Sequence, residues 1–577
     1  VKEFLEHNSL QEGLFYAGDE RFSFKYENVT KVGGKIIDEK EIGISKFRIT
    51  ESKFLKKNQI FTKPAIETLQ ALNVSSHFYS SNIKQSLHID YFTSQKESEY
   101  KNLFKNLPEF DAMMYAVGAD HGLSRDDRRF YFDVLNKSLI PIYNDGAVRI
   151  FSGEKFRGPN YNSSVEKQLK INKKFSNSAK VGAPNLIEKI NNINVINLRK
   201  NLKKKGFNLS ISDLNLALEL IIENLNLLSN LSNDDIVKVS NINQHPIRNI
   251  KAIEKEIKAS YLFTDKDIFK KCDLLLNNCV NLVLTEKELR RALKQDLKDI
   301  NGDNLIFLGD FDIFEKNQII SKNEISLKNK NLFSLEDLNF RIFGNVNVEI
   351  DKTNKKIKFL KEDTNSRVLF FDSIIKDWSF EFVDLIEENK NIVRRDKNGL
   401  SGCLNIYDSL IENLKVYTNN TKCEDALNLV RTDGSIDSLK INNSLFDGLD
   451  ADFSNLDIEN IEINNSGNDC MDFSYGKYYL TKLNLSKCSD KAISTGEASN
   501  LEVNDFTIKE SLIGIASKDS ASVNSFDGSI TNVDKCFSLY KKKQEFNGGL
   551  LKYKNLKCKD FNNFAFKDSY SKLIKVN

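Results

Sequence analysis

Hydrophobic positions in the last third of the chain recur at a fixed interval of about 22 residues, a length typical of solenoid repeats. Short runs of β-type residues alternate there with Asn, Asp, Ser and Gly. One apolar column repeats over five successive steps: Leu427, Leu449, Met471, Ile493, Ile515 and Phe537. A second column consists of Ile441, Ile463 and Leu485, and the tetrad INNS stands at 441–444 and 463–466. A fixed period of this length predicts a solenoid with one structural unit per repeat.

The repeat favours a right-handed parallel β-helix over residues 366–577, with one turn per repeat. Leucine-rich repeats have a similar length, but their LxxLxLxxN pattern is missing. In a β-helix, equivalent inward side chains stack at the strand spacing of about 4.8 Å. Met471 and Ile493 should therefore both point inward. Asp450 and Asp472, which occupy equivalent positions of successive repeats, should stack on an outer face.

The eight cysteines are scattered and form no CxxC pair, which argues against a zinc site. They are predicted to be small buried hydrophobic residues. Cys536 and Cys558 are separated by one repeat length and are predicted to be stacked neighbours. A disulfide fits that placement, but two thiols in an apolar stack fit it better.

The first part of the chain, 1–165, mixes helical and strand patterns. A helix is predicted around KPAIETLQAL, with Pro64 near its start, and another from Pro108 to Gly118. An aromatic run at 130–132, a turn and an apolar run at 138–143 predict two strands joined by a short connection. This region is therefore expected to be α+β.

Residues 166–300 are predicted to form a helical lobe or insertion. A long apolar-rich helix should start near Ser212 or Asp213, and TEKE at 285–288 has the form of a capping box. Helical spacing disappears after this region, so 301–365 is predicted to be a β-rich connector to the β-helix.

Composition places the chain among ordinary globular proteins of several domains. The 577 residues are 40% hydrophobic and 29% charged, and 84 Lys and Arg face 81 Asp and Glu, a net charge of +3. This near balance gives no reason to propose nucleic acid or an anionic membrane as partner. No run of about 18 apolar residues occurs, so no membrane span is predicted.

Ionisable residues gather just before the aromatic strand, in ADHGLSRDDRRFYFD, which contains Asp120 and Asp127. Asp145 follows the aromatic strand after a short turn and a second apolar run, in PIYNDG. Kinase-like phosphotransferases place a base and one metal ligand on such a loop, and the following hairpin delivers a second metal-binding Asp beside Gly. Carboxylates are the ligands that Mg²⁺ prefers. A polar turn without a metal is the alternative interpretation.

The segments HGLSRDDRRFYFD and PIYNDG together resemble the spore-coat protein H (CotH) kinase-like family. The opening segment FLEHNSLQEGLF is similar to the stretch just after the N-lobe core of that family. The resemblance covers about residues 1–165 and implies an N-terminally truncated kinase C-lobe, with ATP and Mg²⁺ as cofactors. The implied reaction is transfer of the γ-phosphoryl group to a protein Ser or Thr hydroxyl. The ATP-binding Lys and its Glu partner would then precede Val1.

The resemblance assigns roles by position. Asp145 matches the metal-binding Asp after the second strand, Asp127 the second metal ligand, and Asp120 lies nearest the catalytic Asp. His121 is a second catalytic candidate, with a structural or substrate-side role as the alternative. Arg128 is a candidate phosphate contact, and a solvated side chain is the alternative. The sequence departs from the family where Asp127 replaces an Asn and where NDG replaces a two-Asp sequence.

The β-helix suggests a rival function. GNDCMD, at 467–472, resembles a polygalacturonase-type motif, and stacked Asp450 and Asp472 have the separation that retaining glycoside hydrolysis uses. The Gly-His-Gly and Arg-x-Lys motifs of that family are absent. We therefore expect the β-helix to be a binding or spacer module for a glycan or a protein, with a carbohydrate-active enzyme and a non-catalytic cell-surface protein as alternatives.

Overall fold

The structure is a computed structural model, and its chain divides into two compact units. The N-terminal unit is Gly13–Leu327, and the solenoid unit includes Lys328–Asn577. The residues that the structure describes are 10, 13–18, 23–27, 31–32, 35–36, 39–43, 47–50, 52–77, 104–123, 127–146, 148, 151–152, 155–156, 165–171, 175–204, 206–236, 258–265, 268–273, 278–310, 332–335, 337–386 and 394–576.

The N-terminal unit is an α/β region. Its helices are α1 (Ser52–Lys57), α2 (Thr62–His77), α3 (Leu107–Ala116), α4 (Val165–Lys170), α5 (Asn177–Asn191), α6 (Val195–Lys204), α7 (Ile211–Ser229) and α8 (Glu286–Leu293), with 3₁₀ turns at Gln59–Phe61 and Asp120–Leu123. Its strands are β1 (Leu14–Gly18), β2 (Ser23–Glu27), β3 (Lys31–Val32), β4 (Lys35–Ile36), β5 (Glu39–Gly43), β6 (Phe47–Ile49), β7 (Arg129–Asp133), β8 (Ser138–Ile142), β9 (Phe151–Ser152), β10 (Lys155–Phe156), β11 (Ala259–Asp265), β12 (Ile268–Cys272), β13 (Cys279–Leu282), β14 (Leu297–Lys298) and β15 (Asn304–Asp310). Within the described residues, no helix combines the length and apolar character that a membrane span needs.

The two strands predicted from the aromatic and apolar runs form the antiparallel hairpin β7–β8. They belong to a four-stranded sheet with the order β6-β1-β7-β8. Asp133 closes the turn because its Oδ1 accepts hydrogen bonds from the backbone N–H groups of Leu135 and Asn136, each at 3.0 Å. Phe130 and Phe132 are buried in the core below the sheet.

The predicted helices are present, with small shifts at their ends. α3 has Pro108 in its first turn, and Gly118, at φ 68°, follows its end. α7 begins at Ile211, slightly before the predicted start, because the Ser210 side chain caps it by accepting the Asp213 N–H at 3.0 Å. The capping box of α8 is confirmed, since Thr285 and Glu288 each accept the backbone N–H of the other.

The region 166–300 is not helical throughout, because strands begin at Ala259. Strands β11 to β15 form a five-stranded sheet with the order β13-β12-β11-β15-β14. Leu262 and Phe307 from this sheet share one apolar core with Leu14 and Phe130. Alternation of apolar residues in ASYLFTD and NLIFLGD therefore builds a second sheet of the N-terminal unit, and 304–310 belongs to it rather than to a connector.

The solenoid unit is a parallel β-helix of about nine turns. Its strands are β16 (Leu332–Leu335), β17 (Leu338–Phe343), β18 (Val346–Asp351), β19 (Lys356–Lys361), β20 (Arg367–Phe371), β21 (Ile374–Lys376), β22 (Ser379–Asp384), β23 (Gly402–Tyr407), β24 (Leu410–Asn419), β25 (Asp425–Val430), β26 (Asp433–Ser444), β27 (Asp447–Ile458), β28 (Ile461–Ser466), β29 (Met471–Cys488), β30 (Lys491–Gly496), β31 (Asn500–Lys518), β32 (Ser522–Tyr540), β33 (Leu550–Lys567) and β34 (Lys572–Lys575). The first strands pair antiparallel, β16 with β17, β17 with β20 and β18 with β19. Parallel pairing starts between β19 and β22, so the solenoid sheet begins before residue 366.

The predicted register is confirmed at every step of the first apolar column. Leu427 pairs with Leu449, Leu449 with Met471, Met471 with Ile493, and the series continues to Phe537. Met471 and Ile493 are fully buried, as expected for inward positions. One continuous apolar core therefore runs along the solenoid.

Most of the cysteines are buried, as predicted, but the expectation of free thiols was wrong, because all eight form disulfides. The pairs are Cys272–Cys279, Cys403–Cys423, Cys470–Cys488 and Cys536–Cys558. The three pairs in the solenoid span 20, 18 and 22 residues, about one turn each, so two distant cysteines meet at neighbouring levels.

Cys536 and Cys558 are bonded without being register neighbours. Ile530, rather than Cys536, is the strand partner of Cys558, so the step between these two strands is longer than one repeat. The longer step arises because the connection between β32 and β33 holds extra residues, 541–549. Equal spacing along the sequence therefore gave the wrong stacking at this turn.

Candidate metal centre

A buried ion pair fixes the loop that carries the candidate residues. Arg128 donates to Asp111 of α3 through both terminal nitrogens, at 2.7 and 3.3 Å, and its Nε donates to the Leu123 carbonyl at 3.3 Å. Both side chains are almost completely buried. Burial raises the pKa of Asp111, and the Arg128 guanidinium opposes that rise. The pair ties α3 and the 3₁₀ turn at 120–123 to the start of β7.

The end of β8 lies directly against this loop. A Cβ atom on Gly122 would lie 2.5 Å from the Asn144 carbonyl oxygen, and one on Gly146 would lie 2.9 Å from the Ala119 Cβ. Glycine at both positions therefore lets the two segments approach. Asn144 Nδ2 also donates to the Asp127 carbonyl at 3.3 Å, and Asp145 itself has φ 40°.

This packing brings His121, Asp127 and Asp145 together. The distance from His121 Nε2 is 3.4 Å to Asp127 Oδ2 and 4.0 Å to Asp145 Oδ2. One ligand atom from each residue lies within 4.8 Å of the other two. The expected proximity of Asp127 and Asp145 is observed. His121 and Asp145 are exposed while Asp127 is sheltered, so the group opens to the surface.

The donor set has the chemistry of a divalent-cation site. Two carboxylates at this separation repel each other, and a cation between them would remove the repulsion. Their oxygens suit Mg²⁺, and the imidazole nitrogen adds a ligand that Mn²⁺ accepts more readily than Mg²⁺ does. Across the described residues, this is the single group of three or more His, Cys, Asp or Glu residues with such spacing.

Two of the predicted site residues lie outside the group. Asp120 Oδ1 accepts a hydrogen bond from Gln168 Nε2 of α4 at 3.3 Å. Arg128 is buried against Asp111, so its guanidinium faces the helix rather than the cation ligands. Residues 124–126, and most of the opening segment FLEHNSLQEGLF, lie outside the described residues.

Asp111 and Asn144 contact the segments that carry the candidate ligands, and the sequence did not single them out. Asp111 stands in the apolar helix segment PEFDAMMYA, and a charged residue on an apolar helix face needs a buried partner. That rule predicts that Asp111 has a buried partner. The packing of α3 against β7 shows that this partner is Arg128.

Comparisons of the chain with protein-family models, with curated proteins and with solved structures each find no match.

Proposed function

We propose that the N-terminal unit holds a divalent cation at His121, Asp127 and Asp145 and uses it in phosphoryl transfer. The reaction is the one implied by the CotH resemblance, transfer of the ATP γ-phosphoryl group to a protein Ser or Thr hydroxyl. The observation that carries the proposal is the mutual approach of the three ligand atoms within 4.8 Å at the end of a β-hairpin. The loop, hairpin and Asp-Gly order along the chain supports it.

Each residue has a distinct part in this proposal. Asp127 and Asp145 would hold the cation, Mg²⁺ in the kinase-like reaction, where it would supply neutralisation of the charge on the transferring phosphate. His121 is the third ligand, and Asp120 on the same 3₁₀ turn is the candidate base. Arg128 positions the loop by pairing with Asp111. This structural part takes the place of the phosphate contact that the sequence suggested for Arg128.

Calorimetric titration of the protein with Mn²⁺ and with Mg²⁺ tests the cation site. We expect one site, tighter for Mn²⁺ because of the His121 nitrogen. Asp145→Asn should weaken the affinity about tenfold or more, since it removes one charged ligand. Asp296→Asn is a matched control, because Asp296 is an exposed aspartate of the same unit outside the group. Equal affinities for the wild type and Asp145→Asn would refute the site.

The phosphotransfer step needs its own readout. With radiolabelled ATP and either cation, a chain extended to include the ATP-binding Lys and its Glu partner, which the resemblance places before Val1, should transfer phosphate to protein Ser or Thr. The transfer should be lost in Asp145→Asn and retained in Asp296→Asn. Cation binding without ATP-dependent transfer would keep the metal site and reject the kinase-like reaction.

For the solenoid unit we propose right-handed coiling and a binding or spacer role. Right-handed crossovers between parallel strands are strongly favoured, which supports that hand. The four disulfides support an oxidising compartment, because such bonds persist there.

A further inference from the structure

One outward column of the solenoid is polar along five successive strands. Its members are Cα partners in the parallel register: Asn405, Asn428, Asp450, Asp472 and Ser494. We call this column the polar face. The neighbouring positions on each strand, such as Leu449 and Met471, point into the apolar core. The polar groups therefore project from a rigid, regularly spaced support.

Hydrogen bonds fix the polar face from both ends. Tyr407 donates its hydroxyl to Asn428 Oδ1 at 2.8 Å, and Asn428 Nδ2 donates to Asp450 Oδ2 at 3.2 Å. From the other end, Lys518 Nζ donates to Ser494 Oγ at 2.9 Å and lies 3.5 Å from Asp472 Oδ1. The two carboxylates at the centre are thus held in place before any ligand arrives.

Covering segments flank this centre. Toward the first turns, Arg394 forms a two-point ion pair with Glu424. Toward the last turns, Lys543 pairs with Glu497 at 2.9 Å, and Asp519 accepts the Lys543 backbone N–H at 2.8 Å. Between these contacts, the Asp472 side chain is 26% exposed to solvent. The solvent-accessible part of the face is therefore its centre.

An aromatic platform lies on the strands that carry Asp450 and Asp472, three residues further along each strand. The rings of Phe453 and Tyr475 stack with centroids 4.4 Å apart and planes at 13°. Phe546, from the segment that covers the later turns, extends the platform with its centroid 6.1 Å from that of Tyr475. Beside it, Ser474 donates to Glu497 Oε2 at 2.6 Å. Partly exposed rings thus lie next to charged hydrogen-bond acceptors.

We propose that the polar face and the aromatic platform together bind a neutral glycan chain. A sugar ring presents an apolar C–H face, which suits a flat aromatic platform, and a rim of hydroxyl donors, which suits Asp450 and Asp472. Sites that combine aromatic surface with a few well-placed polar groups are typical of small-ligand recognition.

The charges at the site select among glycans. The carboxylates of Asp450, Asp452, Asp472 and Glu497 outnumber the ammonium groups of Lys518 and Lys543. An excess of negative charge repels polyuronates and sulfated chains. The preferred ligand is therefore uncharged and rich in hydroxyl groups.

Affinity electrophoresis of the full chain tests this proposal. Gels are cast with xylan, galactomannan or β-1,3-glucan as neutral probes and with polygalacturonate as the acidic probe, and a lysine-rich peptide is titrated separately. We expect retardation by at least one neutral polysaccharide. Tyr475→Ala and Asp450→Asn should each raise the Kd about tenfold or more through loss of the platform or of a charged acceptor.

Matched controls lie on the same strands. Tyr479→Ala removes an exposed tyrosine of β29, and Asp457→Asn an exposed aspartate of β27, both away from the polar face. These variants should bind like the wild type. The fluorescence of Trp378, the only tryptophan and a buried residue of the solenoid, reports whether each variant is folded.

Three results would overturn the proposal. In the first, no neutral probe retards the protein. In the second, Tyr475→Ala and Asp450→Asn are retarded as strongly as the wild type. In the third, polygalacturonate or the lysine-rich peptide binds more tightly than any neutral chain.

Discussion

At the residue scale, the solenoid places several ionisable side chains in one buried column, one on each successive turn. Asp425, Asp447 and Asp469 occupy successive turns, and Lys491 follows them. Burial raises the pKa of each aspartate, and the neighbouring carboxylates add to the rise. Lys491 lies 3.2 Å from Asp469 and offsets part of that repulsion. The column is therefore a point where the stability of the solenoid depends on pH.

Asp447→Asn tests this dependence. The folded-state pKa of Asp447 is above that of the unfolded chain, which is about 3.9. Between about pH 4 and about pH 8, the folded state therefore binds more protons than the unfolded chain. The contribution of Asp447 to the free energy of unfolding thus falls as pH rises through this range. Asparagine removes the charge but keeps Oδ1, which accepts the Asp469 N–H at 2.8 Å. The difference in Tm, variant minus wild type, should become more positive from about pH 5 to about pH 8.

Thermal melts at several pH values give this difference. Asp457→Asn, on the exposed side of the same strand, should show no such trend. A difference for Asp447→Asn that stays constant over the range would contradict the assignment.

At the element scale, each turn of the solenoid combines an apolar stack with a polar corner. Ile493 pairs with Met471 and Ile515 inside the core. At a corner, Asn465 has φ 65° and donates from Nδ2 to Asn443 Oδ1 at 2.9 Å. Asparagine tolerates this left-handed conformation better than most residues do. The apolar stack buries its side chains, and the corner residues bend the backbone through a left-handed conformation.

Substitutions at these two positions should differ in cost. Ile493→Asp buries a carboxylate without a partner and should lower the free energy of unfolding by several kcal/mol. Asn465→Ala should cost about 1 kcal/mol, through the left-handed backbone and one exposed hydrogen bond. Urea unfolding followed by far-UV circular dichroism measures both. Equal losses from the two substitutions would mean that the register is wrong.

At the scale of the whole molecule, two units are stabilised in different ways. The N-terminal unit encloses apolar cores between sheets and helices, and the solenoid unit encloses one core along its length. Three of the four disulfides lie in the solenoid, where each links chain segments about one turn apart. A disulfide that closes a loop of about 15 residues contributes about 3 kcal/mol by constraining the unfolded chain.

Non-reducing peptide mapping by mass spectrometry should recover all four disulfides, with no thiol that reacts with iodoacetamide in the folded protein. Reduction should lower the Tm reported by Trp378 by several degrees, since the Cys403–Cys423 bond lies near that part of the solenoid core. Free thiols in the protein folded under oxidising conditions, or a Tm that does not respond to reduction, would contradict these pairings.

The sequence by itself determined the local elements and the repeat. The apolar columns of the repeat, the capping box at Thr285 and the β7–β8 hairpin were all predictable, because alternation, helical spacing and capping act over a few residues or recur at a constant period. It also predicted that Asp127 and Asp145 lie close together, since a short hairpin brings its outer ends together.

Only the tertiary structure decided which distant segments meet. Arg128 pairs with Asp111, β11 and β15 join the core of β1 and β7, and each solenoid cysteine bonds to a partner about one turn away. The residues at 541–549 lengthen the step between β32 and β33, so Cys558 pairs in the register with Ile530 instead of Cys536. Such contacts depend on how the chain closes long loops to bury apolar surface and to pair buried charge, and no local pattern encodes that choice.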